Sequence, residues 1–240
     1  MQLRSIAIMA CLVLTSRADP VLTALQKYTI NGKVPILCMT FDDAGFKDSS
    51  PKGNDGTPAG GVAATTGLSS GAMNFDGDDD YINVSDNDEL DCVGDCTILT
   101  WIKLNKTGTV GILDKKASAY GQATGWELEY GSSANRFLFM GSGSTFATAT
   151  INLNTDTWRQ VGAVITGGTV QFYVDGVALS MNDSTITAVK AGTDPLVIGV
   201  RQNTADSNFK GTIDEALIYN KSLSASEVKI LYNIGKAGVR

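Results

Sequence analysis

The sequence predicts an all-β fold, a two-sheet antiparallel sandwich closed by one short C-terminal helix. Three observations predict it. Apolar and polar residues alternate in short runs from Cys38 onward, 26 glycines help break those runs into turns, and helix signals gather in the last segment.

Strands are expected at 36–41, 72–75, 81–84, 97–104, 110–115, 125–130, 136–140, 145–153, 158–165, 170–174, 196–200 and 209–219. Gly167-Gly168 and Asp175-Gly176 are two-residue hairpin loops able to take the positive φ of type I′ turns, which makes 161–180 a three-stranded meander. The helix begins at Ser224, an N-cap with Glu227 as capping-box partner, and its apolar face is Val228, Leu231 and Tyr232. The Gly-, Ser-, Thr-, Asn- and Asp-rich stretches 47–66, 117–124, 141–144 and 202–208 read as loops, where a recognition surface is expected.

With 240 residues, the chain is long enough for one large β domain, placed at 36–240, behind an N-terminal segment 1–35. That segment has two readings. Met1–Arg4 followed by the apolar run 5–14 and the small-x-small triplet Ser16-Arg17-Ala18 resembles a secretory signal peptide, too short to span a bilayer. The same residues also read as an extended β-rich arm, because Asp19-Pro20 and Asn31-Gly32 separate β-branched runs, and such an arm (residues 1–38) would pair with neighbouring subunits.

A net charge of −6 without a basic cluster excludes nucleic acid as a partner. The chain has no histidine, which removes the commonest general base and the His-based zinc sites. Four cysteines include Cys92 and Cys96 in a Cys-Val-Gly-Asp-Cys loop, which form a small disulfide if the compartment is oxidising and otherwise stay buried thiols.

Few residues suggest chemistry. Glu127 and Glu129 share one face of a strand, but no third acid completes a glycan-cleaving signature, so they read as solvated strand residues. Trp101, Trp126 and Trp158 sit inside alternating strands and are expected in the core, whereas Tyr120 in a Gly-rich loop is the exposed aromatic proposed to touch a ligand. Asp76, Asp78 and Asp80 do not make an EF-hand, since its sixth position is Tyr81 and its twelfth Asn87.

Four segments in order carry a family resemblance. They are Phe41-Asp42-Asp43 leading to Asp48 through Gly56; Ala72-Met73-Asn74-Phe75-Asp76-Gly77 with Asp80-Tyr81-Ile82; Trp158-Arg159-Gln160-Val161 with Phe172-Tyr173-Val174-Asp175-Gly176; and Phe209 through Asn220 with Leu223-Ser224. In this order the chain resembles the laminin-G-like jelly rolls of the concanavalin A-like lectin and glucanase superfamily. The resemblance implies a jelly-roll sandwich, a non-catalytic role in binding glycan or a surface protein, and a structural calcium ion. By position, that ion would take Asp42 or Asp43, the Gly77 carbonyl and Asp214, all oxygen donors suited to calcium. The alternative is that Asp42 and Asp214 only accept hydrogen bonds from turn amides. The expected location is extracellular or at the cell surface, without a transmembrane anchor; the alternative is an exterior subunit of a virion or filament.

Overall fold

The computed structural model describes residues 20–43, 45–105, 108–116, 124–131, 135–142, 146–153, 156–186, 188–202 and 207–237. Two antiparallel sheets of eight strands face each other. The first runs β13 (Val177–Ala178), β12 (Thr169–Val174), β11 (Trp158–Thr166), β6 (Cys96–Leu104), β16 (Lys210–Tyr219), β4 (Gly71–Asp76) and β3 (Ala63–Thr66), with β1 (Leu37–Met39) also on β16. The second runs β14 (Met181–Asp183), β10 (Phe146–Thr150), β9 (Arg136–Met140), β8 (Gly125–Gly131), β7 (Thr109–Lys116), β15 (Leu196–Ile198), β5 (Tyr81–Val84) and β2 (Gly56–Ala59).

The expected hairpins form as their glycines require. Gly167 and Gly168 both take positive φ, and so do Asp175 and Gly176, which turns β11 into β12 and β12 into β13 in register. Between the sheets lies a core that includes Phe75, Trp126, Phe137, Phe172 and Phe209. Phe137 and Phe172 meet across it with ring centroids 4.5 Å apart.

A second apolar cluster covers the outside of the first sheet. Leu99, Leu217 and Tyr219 pack there beneath Val228 and Leu231 of helix α2 (Ala225–Lys236). Ser224 caps α2 with the full capping box. Because both of its faces are covered, β6 is buried along nearly its whole length and lacks the alternation of a half-exposed strand.

Two expectations need correction. Residues 21–30 do not form a strand: helix α1 (Pro20–Tyr28) stands there, and Tyr28 and Ile30 are buried in the second cluster. Lys33 pairs with Glu227 at 2.7 Å and β1 adds to β16, so 28–39 belong to this domain and are not an arm offered to a neighbour. Within the supposed loop 47–66, β2 and β3 are edge strands. Pro58 on β2 and the fully exposed β3 explain why no alternation announces them. A 3₁₀ turn, Asp88–Asp91, lies between β5 and β6.

Candidate functional site

The residues transferred as calcium ligands are only partly brought together. Asp42 and Asp43, both exposed, line a shallow depression of about 570 Å3 with Ser70 and Gly71. Buried Asp214 lies behind it, with Oδ2 accepting from Leu68 N at 3.0 Å and Oδ1 from Glu215 N at 2.8 Å. Burial pushes its carboxyl up to about 8, and the nearby Glu215 and Asp42 charges add to this. Gly77 sits elsewhere. Lys210 pairs with Asp76 at one end of β16 and Asp214 lies four positions along, roughly 13 Å away.

A different acidic group forms beside Gly77. Carboxylate oxygens of Asp76, Asp79 and Asp80 lie within 4.8 Å of one another. Buried Asp80 is held in place, since Oδ2 accepts from Asp76 N at 2.7 Å and Oδ1 from Gly61 N. Asp76 Oδ1 accepts from Asp78 N at 2.8 Å. The donors are all hard oxygens, the kind a calcium ion takes.

Next to this turn, an open depression of about 550 Å3 is lined by Asp78, Asp79, Tyr81, Asn83, Arg201 and Gln202, among others. Its floor is the outer face of the second sheet. One row of cross-strand partners crosses that face: Thr57, Asn83, Val197, Asp114, Glu127, Met140 and Phe146.

The acids at the middle of this face are buried, contrary to the expectation of solvated residues for Glu127 and Glu129. Asp114, Glu127 and Glu129 are each under 5% exposed. Arg201 approaches Glu127 at 3.3 Å and Glu129 at 3.5 Å. It gets there because Gly111, paired with Glu129, has no side chain: a Cβ would lie 2.3 Å from Arg201 N. Burial pushes the Glu129 carboxyl up to about 7, Glu127 adds to this and Arg201 opposes it. Asp114 is also raised, by burial first and then by Glu127, although Gln202 N donates to its Oδ2 at 2.8 Å. Sequence alternation placed these acids on one face, but the crossing of 200–201 over Gly111 had no local signal.

Trp126 is in the core as expected, stacked 6.0 Å from Phe139 and donating to Leu90 O. Trp101 is buried under α2 against Tyr232, whereas Trp158 is half-exposed. The Cα atoms of Cys92 and Cys96 are 5.4 Å apart, a bridging distance. Tyr120 and residues 1–19 lie outside the described residues. No helix among the described residues is long and apolar enough to cross a membrane.

A family model described as the concanavalin A-like lectin/glucanases superfamily, laminin-G type 3, matches residues 76–229. No curated protein matches the sequence. Among solved structures, domain 4 of AbnA, a GH43 extracellular arabinanase from Geobacillus stearothermophilus, in complex with arabinotriose, is 21% identical with a TM-score of 0.66, over 82% of this chain and 97% of that one. Botulinum neurotoxin type C, whose cell entry depends on two ganglioside molecules, is 16% identical with a TM-score of 0.67, over 83% of this chain and 50% of that one. The binding domain of botulinum neurotoxin DC, in complex with rat synaptotagmin II, is 15% identical with a TM-score of 0.65, over 83% and 51%. The chain thus spans about half of either toxin structure. At these identities the likeness is one of fold.

Proposed function

The chain belongs to the concanavalin A-like lectin/glucanases superfamily, and from that premise we propose that it is a non-catalytic binding module, displayed outside the cell, which takes a glycan on the outer face of its second sheet. The observation that carries this reading is the depression beside the turn 76–80. There the half-buried Tyr81 lines the depression together with Asn83, Gln202, Arg201 and Asp79. Planar polar groups beside an aromatic face suit vicinal hydroxyls on a sugar ring, because they bond in pairs while the ring covers the C–H surface.

Calcium is proposed at Asp76, Asp79 and Asp80, whose oxygens already converge. When bound, the ion supplies a fixed positive charge that holds the turn; the chain's own part is to orient the three carboxylates, chiefly through the two amides on Asp80. The Cys92–Cys96 pair is proposed to be a disulfide, as an oxidising location would allow.

A glycan array followed by titration of the strongest binder tests the reading. Tyr81→Ala and Arg201→Ala are each expected to weaken binding by about tenfold or more. An array without binders, or a binder indifferent to both substitutions, overturns it. A surface protein captured at the same face would keep the site and change the ligand class. An exterior particle subunit remains the second reading, and any assembly arm is then confined to residues before Pro20, because 28–39 are packed within the domain.

A further inference from the structure

The end of the sandwich holds a lysine where a core side chain is expected. Lys115, the seventh residue of β7, pairs across the ladder with core Trp126 and is 1% exposed. The 3₁₀ turn Asp88–Asp91 closes that end: Leu90 O accepts from Trp126 Nε1 at 2.9 Å, and the Asp91 that follows is 0% exposed.

The Lys115 amine donates to Asp86 Oδ1 at 2.6 Å and to Asp194 O at 2.9 Å. It also lies 2.8 Å from Asp91 Oδ1. Yet neither Asp91 oxygen accepts a hydrogen bond. The nitrogen is thus pressed against a fully buried carboxyl group without hydrogen-bond alignment, and a second carboxylate touches the same amine. A buried ion pair of this kind bears a desolvation cost that its attraction repays only with good alignment. A neutral amide bears a much smaller one.

We infer that Lys115 and Asp91 are the reacting pair of an intramolecular isopeptide bond, with Asp86 carrying the proton. Lys115 Nζ bonds to Asp91 Cγ and one C–O bond of that carboxyl breaks. The ammonium loses two protons to the departing oxygen, at least one by way of Asp86, which is regenerated. Ammonium plus carboxylate gives amide plus one water, with no oxidant, cofactor or second enzyme. Folding supplies the driving arrangement, since it holds the two groups in contact and excludes bulk water. The bond would tie β7 to the turn 88–91 across the end of the sandwich. It is independent of any ligand.

Peptide mapping of the full-length protein, reduced and denatured, with its intact mass, tests the inference. The expected result is a branched peptide joining Lys115 to Asp91 and a mass one water below that required by the mapped termini. Linear peptides carrying free Lys115 and free Asp91 overturn it. Lys115→Arg keeps the charge and should restore the missing water. Asp91→Asn should reach the same cross-linked mass as the native chain by losing ammonia, which a simple ion pair would not do. Should Lys115→Arg fail to fold, the native peptide map decides alone.

Discussion

Two buried carboxyls held above their ordinary range, Glu129 and Asp114, make the outer face of the second sheet sensitive to pH. Glu129, pushed up to about 7 by burial and by Glu127, holds a proton in the native state that an unfolded chain, with a value near 4.5, gives up. Its folded value is the higher one, so its contribution to stability is complete below about 4.5 and is lost as pH rises through about 7. Asp114 acts in the same direction. Stability is therefore expected to fall between about pH 5 and pH 8, by on the order of 2 kcal/mol for Glu129, and the melting temperature with it. Glu129→Gln, which mimics the protonated acid, should flatten that slope when unfolding is followed by calorimetry across the range. A variant that keeps the native slope would place the titration elsewhere.

At the scale of elements, the two helices depend on one acidic side chain. Glu227 closes the capping box of α2, accepts from Lys33 at 2.7 Å and from Asn31 at 3.0 Å, and so joins α2 to the chain leaving α1. Burial alone would raise its carboxyl, but the hydrogen bonds from Lys33, Ser224 and Asn31 win and bring it down to about 2. Its stabilisation is thus present above the ordinary value of 4.5 and is lost as pH falls through about 2. Ser224→Ala should cost about 1 kcal/mol in chemical denaturation, the usual worth of an N-cap. A chain shortened to begin at Ile36 should lose several degrees against one beginning at Pro20, because Tyr28 and Ile30 no longer cover the second cluster. Helix α2 was legible in the sequence because capping is local chemistry. Helix α1 was not: Val21, Leu22, Leu25 and Tyr28 do follow helical spacing, but Pro20 reads equally as a turn or as a first helical residue. The central strands and both hairpins were legible from alternation and paired turn residues. The edge strands β2 and β3 were not, since an exposed edge buries nothing that alternation could report. Of the site, the common face of the acids on β8 was legible from alternation, but their burial follows from the crossing of 200–201 over Gly111, distant in the chain.

At the scale of the molecule, the turn 76–80 carries the chain from β4 in the first sheet to β5 in the second. Gly61, whose amide donates to Asp80, lies in another crossing, from β2 back to β3. A cation at Asp76, Asp79 and Asp80 would therefore clamp two inter-sheet crossings at once and would stabilise the sandwich as a whole, not only the turn. Binding to the folded state alone adds about 2.7 kcal/mol when the free ion stands at 100 times its dissociation constant. Calcium should then raise the melting temperature of chelator-treated protein in proportion to the logarithm of its concentration. Asp79→Asn should abolish the rise, and Asp42→Asn should leave it intact, because Asp42 lies with Asp214 some way along the first sheet from Gly77. The opposite pattern would return the ion to Asp42 and Asp214, where it would have to displace the proton that burial holds on Asp214 up to about pH 8, so that calcium binding would strengthen steeply as pH rises. Titrations of the native chain at two pH values on either side of neutrality test that alternative directly, because the Asp214 site predicts a large change in calcium affinity between them.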